Sequence, residues 1–110
     1  MLKYIVLLFL ALLSVEANEA LEAFKNKDYA RAFKLYEKSA QDGDAQSQSA
    51  LSYLYANGLG VQKDAKKSFE WLKKAADANY SPAQYDLGMN YLTGSNIEKD
   101  SKKAFEYLDK

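Results

Sequence analysis

Apolar residues recur along most of the chain at spacings of three and four, a pattern typical of amphipathic helices. Between residues 65 and 78 the apolar stripe contains Phe69, Leu72 and Ala76, and lysines and a glutamate occupy the other side. The same pattern predicts helices over residues 18–25, 28–40, 45–56 and 82–93. The sequence therefore predicts an all-α chain in which helices follow one another in pairs.

Residues at the predicted helix ends support these boundaries. An aspartate that can cap the first turn precedes three of the predicted helices: Asp28, Asp64 and Asp100. Ser81 is expected to cap the helix that follows it, with Pro82 at the first helical position and Gln84 returning the hydrogen bond. Gly58 and Gly94 are expected to end helices, since glycine adopts the left-handed conformation without steric cost.

The chain also repeats itself at an offset of 36 residues without a gap. The matched sets are Phe33, Phe69 and Phe105; Leu35, Trp71 and Tyr107; and Tyr36, Leu72 and Leu108. A period of this size marks stacked helix pairs, each too small to bury its own apolar face. We expect three units, over residues 18–44, 45–80 and 81–110, the last one incomplete.

The repeated residues resemble those of the Sel1-like repeat family, a relative of the tetratricopeptide repeat. The resemblance rests on Leu51, Tyr55, Gly58, Gly60, Asp64, Trp71, Ala75 and Ala76, and on Leu87, Gly88, Tyr91, Gly94, Asp100, Ala104 and Tyr107. Residues 28–36 are closer to an ordinary tetratricopeptide unit. Ser52 and Ser68 stand where the family prefers glycine and alanine, and Asn79 and Asn96 replace glycines. The resemblance implies a short right-handed α-solenoid whose first helices line a concave surface that binds a protein or peptide.

Residues 1–17 have the layout of a secretory signal peptide. Lys3 precedes an apolar run over residues 4–13, and the small-residue pattern Val15-Glu16-Ala17 follows. Since a membrane-spanning helix needs roughly 20 apolar residues, cleavage after Ala17 is favoured over an uncleaved anchor. We expect an exported protein without stable membrane insertion, in the bacterial periplasm first and secreted second.

Composition narrows the chemistry of this single small domain. The 110 residues contain 15 acidic and 15 basic side chains, and this balance argues against binding nucleic acid through phosphates. Cysteine and histidine are both absent. This excludes disulfides, thiolate or imidazole metal ligands and histidine-based catalytic triads, so we expect neither a metal nor another cofactor.

The resemblance implies one chemical alternative, and a short motif suggests another. Exported, cysteine-rich members of the family that the chain resembles have been described as penicillin-binding or β-lactamase-like, which leaves a cell-wall-related activity as an alternative function. The chain has no Ser-x-x-Lys motif to support it, and we expect no catalytic residues. Asp42-Gly43-Asp44 resembles the start of a calcium loop, but a turn with a helix cap explains it better.

A few residues on the first helices lie off the predicted core positions. If Leu51 faces the core, then four residues turn toward the concave side: Ser49, Tyr53, Tyr85 and Met89. These four form a candidate binding surface, or they fill gaps between neighbouring first helices. We also expect self-association through an uncapped C-terminal face, since the last predicted helix has no polar capping helix after it.

Overall fold

The computed structural model describes residues 15–95 and 97–109 of the chain. These residues form six helices and no strand: α1 (residues 15–25), α2 (Tyr29–Gln41), α3 (Ala45–Asn57), α4 (Ala65–Asp77), α5 (Ser81–Thr93) and α6 (Ser101–Leu108). The prediction of an all-α fold is confirmed, and the helix boundaries agree with the predicted ones to within a few residues. The apolar spacing identifies α2, α4 and α6 most clearly, whereas α3 and α5 have weaker amphipathic character and are also marked by the glycines at their ends.

The aspartates before the helices act as caps. A side-chain oxygen of Asp28 accepts a hydrogen bond from the backbone of Arg31 at 3.3 Å, and Asp64 accepts one from Lys67 at 3.0 Å. Asp100 caps α6 in the same way. Asp44 caps α3, which confirms the interpretation of residues 42–44 as a turn and cap. Each cap satisfies an amide group that the first helical turn leaves without a partner.

The prediction that Ser81 caps α5 was wrong. Tyr80 occupies the cap position without a side-chain hydrogen bond, and Ser81 is already helical. Asn79 adopts the left-handed conformation, with φ of 67°, in the short turn that joins α4 to α5. The side chain of Gln84 does not bond back to its own helix but donates to the carbonyl of Ala76 at the end of α4, at 3.2 Å, as Gln48 donates to Ala40 in the preceding repeat, at 3.1 Å.

The helices stack in chain order, and each packs against the next. Leu51, Leu54 and Leu87 are fully buried between them. At each junction between units a phenylalanine meets a tyrosine of the next helix edge to face: Phe33 with Tyr55 at 5.4 Å and Phe69 with Tyr91 at 6.1 Å between ring centroids. Residues that are 36 positions apart in the sequence therefore make the same packing contact in successive repeats.

The predicted signal peptide lies mostly outside the described residues, and the cleavage of this peptide stays a prediction. Asn96 also lies outside the described residues. Residues 15–17 belong to α1, where Glu16 forms an ion pair with Lys38 at 2.6 Å. Within residues 15–95 and 97–109, no helix combines the length and apolar character needed to cross a bilayer.

Candidate functional site

An open groove of about 530 Å³ runs between the first helices α3 and α5. It arises because α4 packs against both of them and spaces them apart. Side chains of α4, Ser68 and Leu72, therefore join those of α3 and α5 in its lining. The groove lies on the side of the first helices, where the family resemblance places a concave surface.

Three of the four predicted surface residues line this groove. Ser49 and Tyr53 approach it from α3, and Met89 approaches it from α5. Tyr85 does not line it, although its side chain is 60% exposed on α5. The structure therefore brings Ser49, Tyr53 and Met89 together and leaves Tyr85 outside the group.

Tyr53 combines the two roles that the sequence left open. Its ring packs edge to face on Phe24 of α1, with 6.0 Å between centroids, so it fills the gap between neighbouring first helices. It is nevertheless 53% exposed and presents apolar area to the groove. A smaller apolar cavity of about 140 Å³, lined in part by Leu21 and Phe24, lies on its α1 side.

Asp86 is a groove residue that the sequence interpretation missed. It lines the groove from α5 together with Met89 and Asn90, three and four residues further along the same helix face. Partial burial raises the pKa of the Asp86 carboxyl above its usual range. The spacing of Asp86 from Met89 was the sequence signal that could have found it.

Two serines in the groove lining are held by helix packing. The hydroxyl of Ser52 donates to the carbonyl of Ser68 at 2.7 Å, and the hydroxyl of Ser68 donates to the carbonyl of Ser52 at 2.9 Å. These bonds join α3 to α4 and explain the two serines as structural residues. In both bonds the hydroxyl proton is donated to a backbone carbonyl oxygen.

The arrangement suits non-covalent recognition. Aromatic, thioether, amide and hydroxyl groups surround one carboxylate, a mixture that can provide apolar contact and orient a ligand by hydrogen bonds. In the part of the chain that the structure describes, no three acidic side chains are grouped so that they could hold a metal ion.

Comparison with protein families gives matches to the Sel1 repeat over residues 21–44, 45–80 and 81–110. These ranges closely follow the three units of the fold. A comparison with curated proteins gives no match.

Solved structures with similar folds include two repeat proteins of greater length. One is c5321, a protective antigen present in uropathogenic Escherichia coli strains displaying an SLR fold, with 29% identity over 88% of this chain and a TM-score of 0.79. Another is a Sel1 repeat protein from Oxalobacter formigenes, with 31% identity over 84% of this chain and a TM-score of 0.77. The matches span 21% and 38% of those two chains.

A third similar structure is cysteine rich protein B of Helicobacter pylori, with a TM-score of 0.68. It is 19% identical over 88% of this chain, and the match spans 84% of its own length. At this identity the similarity concerns the fold alone.

Proposed function

This chain belongs to the Sel1 repeat family, and from that premise we propose that it is a non-catalytic scaffold whose α3–α5 groove binds a protein or peptide. Sel1 repeats typically mediate protein–protein interaction. The proposal assigns that general role to one surface of this chain, because stacked repeats place equivalent helix faces side by side.

The observation that carries the proposal is the convergence of Ser49, Tyr53 and Met89 on one groove. Tyrosine provides a large contact area with few rotatable bonds, which is why it is enriched at protein interfaces. Methionine is flexible and adapts to irregular partner surfaces. An exposed tyrosine beside a methionine in a concave surface therefore favours a polypeptide ligand.

Affinity isolation from the cell compartment that contains the protein tests this proposal. The wild-type chain is compared with the double variant Tyr53→Lys/Tyr85→Lys, and bound proteins are identified by mass spectrometry. We expect a protein enriched by the wild type and lost with the variant. The variant should remain folded, with a melting temperature lowered only by the loss of the contact between Tyr53 and Phe24. The single variant Tyr85→Lys, at an exposed position outside the groove lining, tests whether the contact extends beyond the groove.

A control variant adds the same number of lysines as the tyrosine double variant, at positions outside the groove. Gln41→Lys/Gln62→Lys places two lysines at exposed positions outside the groove lining. The control should retain the partner. Loss of the partner with both double variants, or with neither, would contradict a role for the groove.

We propose that the protein is exported, to the periplasm in preference to secretion into the medium. The supporting observation is the order of charge, apolar run and small residues over residues 1–17. Cell fractionation, followed by mass measurement of the N-terminus, tests this. The proposal predicts a periplasmic chain that starts at Asn18, and a cytoplasmic chain that retains Met1 would contradict it.

We also propose that the protein self-associates through the exposed side of α6. Phe105 is 60% exposed, whereas Phe33 and Phe69 at the matched positions contact a tyrosine of the next helix. Exposed aromatic area of this kind favours association. Sedimentation should show a concentration-dependent dimer that Phe105→Ser weakens, and a monomer at high concentration would contradict the proposal.

A further inference from the structure

Charge is distributed unevenly between the two helices that border the groove and the helix that lies between them. Helix α3 carries no charged side chain, and α5 carries one, Asp86, although each helix has 13 residues. The second helices are rich in lysine: α4 contains Lys66, Lys67, Lys73 and Lys74. The two helices that border the groove therefore leave it almost without formal charge.

Asp86 is the one charged residue among those lining the groove. No ion pair joins it to a lysine or arginine within the described ranges. An approaching ligand therefore meets one negative charge and no positive charge among the residues that line the groove. Asp86 is exposed and can be reached by a ligand, while partial desolvation of its carboxyl raises the pKa of that group.

We propose that the polypeptide bound in the groove presents a lysine or arginine side chain to Asp86 and an apolar side chain to Met89 and Tyr53. This inference rests on the proposed function and specifies the chemistry of the partner. A basic side chain complements the carboxylate and can form a charge-assisted hydrogen bond with it. An apolar side chain next to it buries area against the thioether and the exposed tyrosine ring.

The distance between Asp86 and Met89 determines how far apart the basic and apolar residues of the bound polypeptide should be. Met89 follows Asp86 by three positions, which corresponds to about 4.5 Å along a helix axis. In an extended peptide, side chains two residues apart lie on one face and are separated by about 6.8 Å. We therefore expect the basic and apolar residues of an extended partner to stand two positions apart.

Nuclear magnetic resonance titration of the full chain with three synthetic peptides tests the inference. The first is acetyl-Gly-Leu-Gly-Lys-Gly-Leu-Gly-amide, and the other two carry norleucine or glutamate in place of the lysine. We expect the lysine peptide to shift the Met89 methyl and Asp86 amide signals and to bind at least about fivefold more tightly than the norleucine peptide. The glutamate peptide should bind most weakly.

Two variants separate the effect of Asp86 from general electrostatics. Asp86→Asn preserves the size of the side chain and should reduce affinity for the lysine peptide by about fivefold while leaving the norleucine peptide unchanged. Asp109→Asn removes an exposed carboxylate outside the groove lining and should leave both affinities unchanged.

The possible outcomes distinguish this inference from the proposed function. Equal binding of the lysine and norleucine peptides in the groove would overturn the role of Asp86 and leave the groove as a peptide-binding surface. Lysine-peptide binding that Asp86→Asn does not weaken would also overturn it. If none of the peptides shifts the groove signals, the inference is contradicted, whereas the proposed function is decided by the affinity isolation described above.

Discussion

The repeats over residues 45–80 and 81–110 join their two helices at matched positions with different chemistry. In the first, Ser52 and Ser68 exchange hydrogen bonds with each other's backbone carbonyls. In the second, Gly88 and Ala104 occupy these positions, and a Cβ atom at Gly88 would come within 2.6 Å of the Leu108 side chain and 3.3 Å of the Ala104 carbonyl. The contact between Ser52 and Ser68 is therefore polar, whereas the contact at Gly88 depends on glycine having no side chain.

The difference shows that the fold requires a close approach of the two helices more than it requires particular residues. Small side chains permit that approach, and the hydroxyls of Ser52 and Ser68 add bonds across it. The departure of these two positions from the family pattern therefore has a structural explanation. The following predictions test whether the two contacts are truly different solutions to one packing requirement.

The largest effect is expected for Gly88→Val. The added side chain must displace Leu108 or move α5 away from α6, and such overpacking costs up to about 3 kcal/mol. Urea unfolding, monitored by circular dichroism, measures the change in the free energy of unfolding.

Leu108→Ala provides the control for Gly88→Val. Because it removes the atoms that the new side chain meets, the double variant should be more stable than the sum of the two single effects predicts. Strict additivity would show that the space at Gly88 does not depend on Leu108, contrary to the packing described above.

A smaller loss is expected at the polar contact. Ser52→Ala removes a hydrogen bond to the Ser68 carbonyl and should lower the free energy of unfolding by about 1 kcal/mol. In the double variant Ser52→Ala/Ser68→Ala the loss should be smaller than the sum of the two single losses, because the two hydroxyl oxygens also lie 3.1 Å apart and each single variant already removes that contact. The free energies of unfolding of Ser52→Ala, Ser68→Ala and the double variant are measured together as a double-mutant cycle. Single variants as stable as the wild type would show that the hydroxyl bonds contribute nothing.

The helix caps should behave alike in the two repeats. Asp64→Ala and Asp100→Ala each remove a bond to a backbone amide of the first turn, at 3.0 Å and 3.1 Å, and each should cost roughly 1 kcal/mol or less. Equal losses in thermal unfolding would confine the difference between the repeats to the 52–68 and 88–104 contacts. Losses that differ several-fold would extend it to the helix ends.

The smallest effect concerns Tyr107, whose matched residue Trp71 cannot ionise. Its hydroxyl donates to Asp77 at 2.9 Å, and burial, followed by this bond, raises the pKa of Tyr107 to about 12. Since tyrosine in the unfolded chain ionises near pH 10, the stabilisation is complete below pH 10 and is lost as the pH rises toward 12.

Tyr107→Phe should cost about 0.5 kcal/mol near neutral pH, because the hydrogen bond is solvent-exposed. The difference in unfolding free energy between wild type and variant should change between pH 10 and pH 12, as the wild type loses stability relative to the variant, while the contributions of the other tyrosines cancel. A difference that is constant over this range would contradict the raised pKa.

The fold was predictable from the sequence because its determinants are local. Apolar residues three and four apart mark the buried side of each helix, and Asp64 or Gly58 marks an end within one turn. The cap of α5 was mispredicted because the local serine–proline pattern was preferred to the 36-residue offset, which matches the capping residue Asp44 with Tyr80 and not with Ser81.

The candidate site was predictable only in part. The alternation of inner and outer helix faces identified Ser49, Tyr53 and Met89. The edge of the groove depends on how α4 spaces α3 from α5, so the sequence could not separate Tyr85 from the groove or place Asp86 in it. Phe24 escaped notice because a shorter turn joins α1 to α2 and interrupts the 36-residue register.

Site-specific photo-crosslinking in the protein's own cell tests the central claim most directly. A benzophenone amino acid is placed at Ser49 in the groove or, as control, at exposed Glu70 on α4. The account predicts that irradiation joins the chain to a defined protein from position 49 and does not do so from position 70. The same products from both positions, or none from position 49, would contradict the groove as the binding surface.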